Sequence, residues 1–360
     1  MNQRLIAAVV AVPAVLALLV FAAFQGLPFA TFAPGGTIDV LGQDGNDAEV
    51  VQVDGHEVYR DTGQLRMTTV RVSPAGDPPD TAYLSLGRLM AMWFDGDEAV
   101  YPYSSVHQDG ETAESSREEG AVQMATSQDD AVYVALTEDG IEVPQVLQVA
   151  AVTAGAASDG VLKVGDHLES INGTETPDDT VLRREIQKSE PGEPLTIGIE
   201  RAGKQRSVEV TPTEETIEGK QRLLIGITPG YDYDFPFDVK ISISDNIGGP
   251  SAGLIFSLAV YDTITPGSLT GGARVAGTGE IAPDGSVGSI GGIQQKIAGA
   301  RSEGTELFLV PEGNCADALG ADAGDMTLVR ASTMHEVRLA LEAYTADPSA
   351  ADLPSCEDAA

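Results

Sequence analysis

The sequence predicts an α+β protein of several domains, with a transmembrane helix at its N-terminus, a β-rich domain in the middle and an α/β domain towards the C-terminus. Three observations lead to this prediction. The 360 residues are enough for two or three packed domains. An uncharged apolar run over residues 5–24 is followed by short alternating segments punctuated by Gly and Asp. From residue 238 onwards, a strand pattern leads into a continuous apolar run typical of a buried helix.

The charge balance is strongly acidic, with 55 Asp and Glu against 21 Lys and Arg and a formal net charge of −34 at pH 7. Such a surface repels phosphate backbones, so we predict no nucleic-acid partner. The two cysteines are too few for a Cys-based zinc site, and the four histidines form no HExxH motif. The sequence therefore predicts neither a metal site nor a cofactor.

The apolar run at residues 5–24 is long enough, at about 20 residues, to cross a bilayer core as a helix. A cleaved signal peptide is the alternative, but its apolar core is shorter and no clean A-x-A site follows here. Arg4 is the only charge before the run, which favours a cytoplasmic N-terminus. We therefore expect a single-pass protein of the cell membrane, with the chain from about Gly26 onwards outside the cytoplasm.

An extracytoplasmic location has a consequence for the two cysteines, Cys315 and Cys356. Oxidising compartments permit disulfides, so we expect these residues to pair and to fix the acidic C-terminal tail. Two free thiols are the alternative.

Local patterns assign the first half of the chain. Alternating apolar segments between residues 36 and 72 indicate β-strands, and residues 83–93 have helical spacing. Residues 108–120 are polar and acidic, which predicts an exposed loop. Ser127 followed by Asp130 has the form of a capping box, so we expect a helix over residues 127–136 with Ser127 as its N-cap.

Between residues 140 and 213 the pattern changes to a strand at 146–152, a helix at 180–189 and strands at 194–200 and 207–210. The string L-x-x-G-D-x-L-x-x-I-N-G over residues 162–173 resembles the PDZ domains of bacterial envelope proteases. That resemblance implies that a peptide C-terminus adds to the sheet as a strand, with a groove at Gln145, Val146 and Leu147. A module that only positions its neighbour is the alternative.

A serine that could act as a nucleophile lies in the glycine-rich turn at residues 248–253, between the strand at 238–243 and the buried helix. Small neighbours of Ser251 allow a substrate backbone to approach. Free N–H groups of the turn, around Gly249, Pro250 and Ala252, could stabilise an oxyanion.

Two bases are candidates for Ser251. The turn fits the G-x-S-x-G elbow of α/β-hydrolases, but the only histidine available downstream is His335, and no HGGG-type loop precedes the turn. Lys296 is the other candidate, within a helical pattern that places Ile293, Ile297 and Ala300 around it. Burial would lower the pKa of such a lysine and leave a neutral amine able to accept a proton.

Several strings between residues 245 and 313, including GPSAG, TGEI and G-x-V-x-x-IGGI-x-x-K, occur in the order and spacing of the proteolytic domain of Lon, which the region resembles. The resemblance implies that Ser251 is the nucleophile and Lys296 the base. It also implies that Thr278 orients the lysine, and it matches Asp245 to a position that is often acidic in the family.

The order of anchor, PDZ-like domain and Lon-like domain resembles the membrane-anchored PDZ–Lon proteins of Gram-positive bacteria. The chain contains no G-x-x-x-x-G-K-[ST] loop, so we expect no ATPase activity from it. The resemblance implies a hexameric ring, and a separate activator is a further candidate partner. The predicted segments are a cytoplasmic tip and anchor (1–26), an N-terminal β-rich and helical region (27–139), a PDZ-like domain (140–215), a Lon-type domain (222–345) and an acidic tail (346–360).

Taken together, the sequence predicts a membrane-anchored serine endopeptidase with a Ser251–Lys296 dyad, acting on unfolded or flexible protein and peptide substrates outside the cytoplasm. The PDZ-like domain would recognise substrate C-termini or control access to the dyad. Two alternatives stay open: a membrane-tethered peptide-binding adaptor with an inactive Lon-like scaffold, and an α/β-hydrolase esterase that uses His335.

Overall fold

The structure is a computed structural model that describes residues 3–24, 26–44, 48–76, 83–108, 110–217, 220–349 and 351–359. The elements of the N-terminal part are α1 (Gln3–Phe24), β1 (Gly26–Leu27), β2 (Phe29–Asp39), β3 (Val51–Asp54), β4 (Gln64–Val72), β5 (Leu84–Ser85), α2 (Leu86–Trp93), β6 (Ala99–Pro102) and α3 (Ala113–Glu138).

The middle of the chain forms β7 (Gln145–Val152), β8 (His167–Ile171), β9 (Thr174–Glu175), α4 (Asp179–Lys188), β10 (Leu195–Arg201), β11 (Lys204–Val210), β12 (Thr213–Ile217), β13 (Lys220–Leu224) and β14 (Ile227–Tyr233). The C-terminal part forms β15 (Asp238–Ile241), α5 (Gly253–Ile264), β16 (Arg274–Gly277), β17 (Glu280–Ile281), β18 (Val287–Gly288), α6 (Ile293–Ser302), β19 (Leu307–Pro311), α7 (Cys315–Ala318), β20 (Thr327–Ala331) and α8 (Met334–Ala346).

The predicted transmembrane anchor is wrong. The apolar run does form a helix, α1, with Pro13 inside it. Within the described ranges, no helix has both the length and the apolar character needed to cross a membrane. The predictions of a transmembrane helix in the fold and of a single-pass cell-membrane location are overturned by this finding.

The helix α3 differs from the prediction in both its start and its length. It begins after Thr112, which forms a capping box with Ser115, and it continues without a break to Glu138. The segment expected to be an exposed loop is therefore partly helical. Ser127 lies in the middle of α3 rather than at its N-cap, because a Ser-x-x-Asp string also fits within a helix when an earlier cap begins it.

The middle of the chain folds around its own sheet, with the strand order β11-β10-β8-β7-β14 and β9 paired to β8. All of these pairs are antiparallel. A separate apolar core lies beneath α4 and includes Leu147, Leu182 and Ile197. β14 forms the outer strand on one side, pairing along β7 from Ile227 opposite Val152 to Tyr233 opposite Gln145.

A second six-stranded sheet joins the two ends of the chain, in the order β20-β19-β16-β4-β2-β6. The four strands β20, β19, β16 and β4 run parallel, whereas β2 pairs antiparallel with both β4 and β6. The main apolar core packs α3 and α5 against this sheet and contains residues from Val40 to Leu341. Strands from the predicted N-terminal region thus complete the sheet of the C-terminal part, with the β7–β14 unit inserted between them.

Candidate active site

The turn between β15 and α5 holds Ser251 at the start of a buried helix. Gly249 has a φ of +92°, a left-handed conformation that favours glycine. Gly248 packs against the backbone of α3, since an added Cβ would lie 3.0 Å from the carbonyl carbon of Gly120. The Gly249 N–H donates to the Gly120 carbonyl at 2.9 Å. The two glycines therefore let the turn lie directly on α3.

Lys296 approaches Ser251 from α6. Its side chain is buried, with a relative exposure of 2% for the residue, and its Nζ lies 2.7 Å from Ser251 Oγ. Burial lowers the pKa of Lys296 to about 7, and the negative charge of nearby Glu280 opposes this shift only in part. The lowered pKa gives the lysine a substantial neutral fraction near neutral pH, and a neutral amine can accept the proton of the serine hydroxyl.

Thr278 connects the two residues. Lys296 Nζ donates to Thr278 Oγ1 at 2.8 Å, and this hydroxyl donates to the Ser251 carbonyl at 2.8 Å. The Gly279 N–H donates to the same carbonyl, also at 2.8 Å. The threonine thus fixes the lysine amine and the backbone of the serine at once.

Ser251 and Lys296 open into a cavity of about 280 Å³. Its other lining residues come from β4, from α3 and from the glycine turn: Met67, Thr68, Thr69, Val70, Arg71, Met124, Asn246, Ile247, Gly248 and Ala252. Strand β4 and helix α3, which are both far from the serine in sequence, therefore supply part of the cavity wall. The space lies where a substrate backbone would have to enter to reach the hydroxyl.

The residues predicted as oxyanion donors differ in whether they have a backbone N–H that is not already hydrogen-bonded. Pro250 has no N–H, and the Gly249 N–H is already bound to Gly120. Within the described residues, the N–H groups of Ser251 and Ala252 donate to no protein acceptor. The turn therefore leaves these two donors available for an oxyanion.

Two other predicted residues lie apart from the dyad contacts. Asp245 is exposed, and the hydrogen bonds that the structure describes for Lys296 go to Ser251 and Thr278 instead. His335 lies at the start of α8, where its Nδ1 is 2.7 Å from Glu138 Oε1. The hydroxyl of Ser251 thus contacts the lysine and not an imidazole.

The predicted peptide groove lies one strand inside the sheet edge. Gln145, Val146 and Leu147 pair with Tyr233, Asp232 and Tyr231 of β14. The edge available to an added strand on this side is therefore β14. The helix α4 contacts β14 through the Asp179 N–H, which donates to Tyr231 OH at 3.1 Å, and it contacts β13 through Gln187, which bonds to the backbone of Leu223.

The two cysteines form a disulfide, with their Cα atoms 5.0 Å apart. Both are buried in a small core that also contains Ile297 and Ala300 of α6. The Arg330 N–H donates to the Pro354 carbonyl at 2.8 Å, so the C-terminal segment lies along β20. The disulfide thus ties that segment to α7, which shares this core with α6, the helix that carries Lys296.

The sequence interpretation missed the contribution of α3 and β4 to the site. Gly120, Met124 and Ser127 are spaced as i, i+4 and i+7, which places them on one face of a helix. The capping box at Thr112 was the signal that could have revealed this face, because it begins the helix before Gly120. For β4, the alternating pattern gave the strand, but nothing in it indicated a place beside Ser251.

Two segments of the chain match known protein families, and each contains one of the sets of motifs found in the sequence. Residues 242–340 match the Lon protease (S16) C-terminal proteolytic domain, and residues 121–211 match the PDZ domain. The first segment contains Ser251, Thr278 and Lys296. The chain therefore contains a Lon-type proteolytic domain and a PDZ domain, a combination that supports a peptidase.

Individual proteins match over shorter segments. The chain is 45% identical over 73 residues to "Zinc metalloprotease RasP" of Geobacillus kaustophilus, covering 20% of this chain and 17% of that protein. It is 37% identical over 83 residues to the Lon protease of Lachnoclostridium phytofermentans and 36% identical over 94 residues to that of Fusobacterium nucleatum, covering 22% and 25% of this chain. These segments span only 10% and 12% of the two Lon proteases.

Among solved structures, the PDZ domain of the SdrC-like protein from Listeria monocytogenes is 23% identical, with a TM-score of 0.22 over 23% of this chain and 86% of that chain. The corresponding PDZ domain from Listeria innocua is 21% identical, with a TM-score of 0.21 over 23% of this chain and 92% of that chain.

Proposed function

We propose that the chain is a serine endopeptidase in which Ser251 is the nucleophile and Lys296 the general base. The observation that carries this proposal is the 2.7 Å contact between Lys296 Nζ and Ser251 Oγ, made by a buried lysine whose pKa is lowered to about 7. A buried neutral amine within hydrogen-bond reach of a serine hydroxyl is the arrangement that proton abstraction requires.

The reaction begins when Lys296 accepts the proton of the Ser251 hydroxyl as the oxygen attacks the scissile carbonyl. The N–H groups of Ser251 and Ala252 stabilise the oxyanion that forms. Lys296 then donates the proton to the leaving amine, which leaves an acyl group on Ser251. A water molecule that gives its proton to Lys296 hydrolyses this ester and restores the free serine.

The cavity limits which substrates can react. It lies between β4, α3 and the glycine turn, so an extended segment of polypeptide can reach Ser251 more easily than a folded domain can. We therefore propose unfolded or flexible segments of proteins as substrates. The PDZ domain would hold a substrate C-terminus as an added strand along β14, the outer strand of its sheet.

The proposal is tested with the full chain and unfolded casein as the substrate. Ser251→Ala and Lys296→Ala should each abolish cleavage, because one removes the nucleophile and the other the base. His335→Ala should remain active, because its imidazole contacts Glu138 rather than Ser251. Activity that survives Ser251→Ala would contradict the dyad. Loss of activity in a folded His335→Ala variant would also contradict it and would favour the esterase alternative.

An adaptor in which the proteolytic domain is only a scaffold is the second candidate, and the position of β14 as the outer strand of the PDZ sheet favours it. It predicts that C-terminal peptides bind to the parent protein and to Ser251→Ala equally well, and that the parent cleaves nothing. Peptide binding measured by fluorescence anisotropy beside the casein assay separates the two functions.

A further inference from the structure

Ser127 is a buried serine in the middle of α3 that lies outside the segment matching the proteolytic domain. It is 4% exposed, and its Oγ donates to the Pro250 carbonyl at 3.0 Å across 123 residues of sequence. A serine hydroxyl inside a helix commonly bonds to a carbonyl of its own helix, as Ser257 does with Leu254 at 2.9 Å. Ser127 instead bonds to the residue directly before the nucleophile.

This contact fixes the orientation of one peptide unit. The bond from Pro250 to Ser251 does not precede a proline, so it is trans, and its C=O and N–H point in opposite directions. The Pro250 carbonyl points towards α3, where it accepts from Ser127 Oγ at 3.0 Å, and it also accepts from the Gly253 N–H at the longer distance of 3.3 Å. The Ser251 N–H must therefore point to the opposite side, and Ser251 is the residue of this peptide that lines the cavity.

The peptide unit between Ser251 and Ala252 is also held by hydrogen bonds to its carbonyl, in this case from Thr278 and Gly279. Its carbonyl, that of Ser251, accepts hydrogen bonds from Thr278 Oγ1 and from the Gly279 N–H. The Ala252 N–H is thereby directed away from these two groups. The Ser251 and Ala252 N–H groups have no protein acceptor within the described residues. The contacts to the Pro250 and Ser251 carbonyls, which belong to the same two peptide units, thus set the directions of these N–H groups.

We propose that Ser127 is a positioning residue for peptide hydrolysis, holding the Pro250 carbonyl so that the Ser251 N–H points at the oxyanion. The inference rests on the proposed function, because an oxyanion forms only if Ser251 attacks a carbonyl. Ser127 itself contacts neither the substrate nor the reacting atoms. Its loss leaves the Pro250 carbonyl with only the longer bond from Gly253, so the peptide unit is less firmly held and the Ser251 N–H turns away from the place where negative charge develops.

The test compares Ser127→Ala with Ser257→Ala in the full chain. Both changes remove a buried serine hydroxyl from a helix, but only the first removes a donor from the Pro250 carbonyl and leaves it with the Gly253 N–H at 3.3 Å. We expect Ser127→Ala to lower kcat by about tenfold or more, since the loss of one oxyanion donor lowers kcat by about 10²–10³. KM should stay within about twofold of the parent value, and kcat of Ser257→Ala should be close to that of the parent.

Ser127→Thr keeps the hydroxyl and should recover most of the lost kcat, whereas the weaker donor of Ser127→Cys should give an intermediate value. Affinity for a peptide boronate, which forms a tetrahedral adduct with a serine, should fall in proportion to kcat/KM across the series. The pH midpoint of the reaction should not move, because Lys296 is untouched.

Equal kcat values in folded Ser127→Ala and Ser257→Ala would overturn the role of Ser127, as would a loss that appears only in KM. A boronate affinity that does not follow kcat/KM would overturn it as well. These outcomes differ from failure of the proposed function, in which the parent protein would neither cleave a peptide nor bind the boronate.

Discussion

Lys296 Nζ lies 2.8 Å from Thr278 Oγ1, and the threonine hydroxyl donates a hydrogen bond to the Ser251 carbonyl. Thr278→Val has nearly the same shape but lacks the hydroxyl, so the amine keeps only one of its two described partners. We expect kcat to fall by about 10², because a small misplacement of a reacting group has an effect of this size. Thr278→Ser keeps the hydroxyl and should retain most activity in steady-state peptide hydrolysis. Equal losses in both variants would contradict this role for the hydroxyl.

Replacing Lys296 by Arg keeps a positive charge but removes the base. A guanidinium stays protonated at all accessible pH values and cannot accept the serine proton. We expect Lys296→Arg to lower kcat/KM by about 10⁴, the upper end for loss of a general base. Lys240→Arg in the exposed part of β15 is the matched control and should match the parent. Full activity in Lys296→Arg would mean that another group accepts the proton.

The pH dependence of kcat/KM should report the titration of Lys296. Because burial lowers the pKa of Lys296 to about 7, the neutral fraction of the amine rises as the pH rises through 7, and activity should rise with it. Glu280→Gln removes the negative charge that opposes this shift, so the midpoint should move to lower pH. A pH–rate profile of the two proteins measures the difference.

Asp130 provides the control for this profile, because burial raises the pKa of its carboxyl to about 7 as well. Asp130→Asn removes that titration and should leave the midpoint of the rise in place. A midpoint that disappears in Asp130→Asn, or that Glu280→Gln moves to higher pH, would contradict the assignment to Lys296. A midpoint near neutrality does not by itself distinguish a lysine base from a histidine base, so His335→Ala is needed as well.

The disulfide between Cys315 and Cys356 should contribute to stability rather than to chemistry. It closes a loop with a sequence separation of 41, for which the chain-entropy relation gives about 4 kcal/mol. The double variant Cys315→Ser and Cys356→Ser should therefore have a lower free energy of unfolding in urea titrations, and the reduced parent should behave like it. An unchanged urea midpoint would contradict this prediction.

The local patterns predicted much of the secondary structure. Strands β3, β4, β7, β10 and β11 lie where alternation of apolar residues placed them, and helices α4 and α5 where the apolar spacing did. Such patterns depend on neighbours within a few residues, which a sequence displays directly. The capping boxes show the limit of this reasoning, since Ser127 and Thr112 both fit the signature and only the second begins a helix.

The arrangement of the site was predictable only in part. The strings around Ser251, Thr278 and Lys296 indicated a shared site, and the structure brings these three side chains together. The carbonyl contact of Ser127 and the cavity wall from β4 depend on pairings between segments more than 100 residues apart. No periodicity encodes such pairings, because they follow from the packing of the whole sheet.

The sheet with the order β20-β19-β16-β4-β2-β6 also determines the order in which parts of the chain can fold during synthesis. Strand β4 needs β16 as its parallel neighbour, and about 200 residues, including the whole PDZ domain, are synthesised between them. The PDZ domain has its own sheet and its own core, so its contacts can form while the rest of the chain is still on the ribosome. The cavity beside Ser251 cannot form until β16 has emerged and paired with β4. A nascent chain of this protein therefore has a folded PDZ domain well before the cavity beside Ser251 is complete.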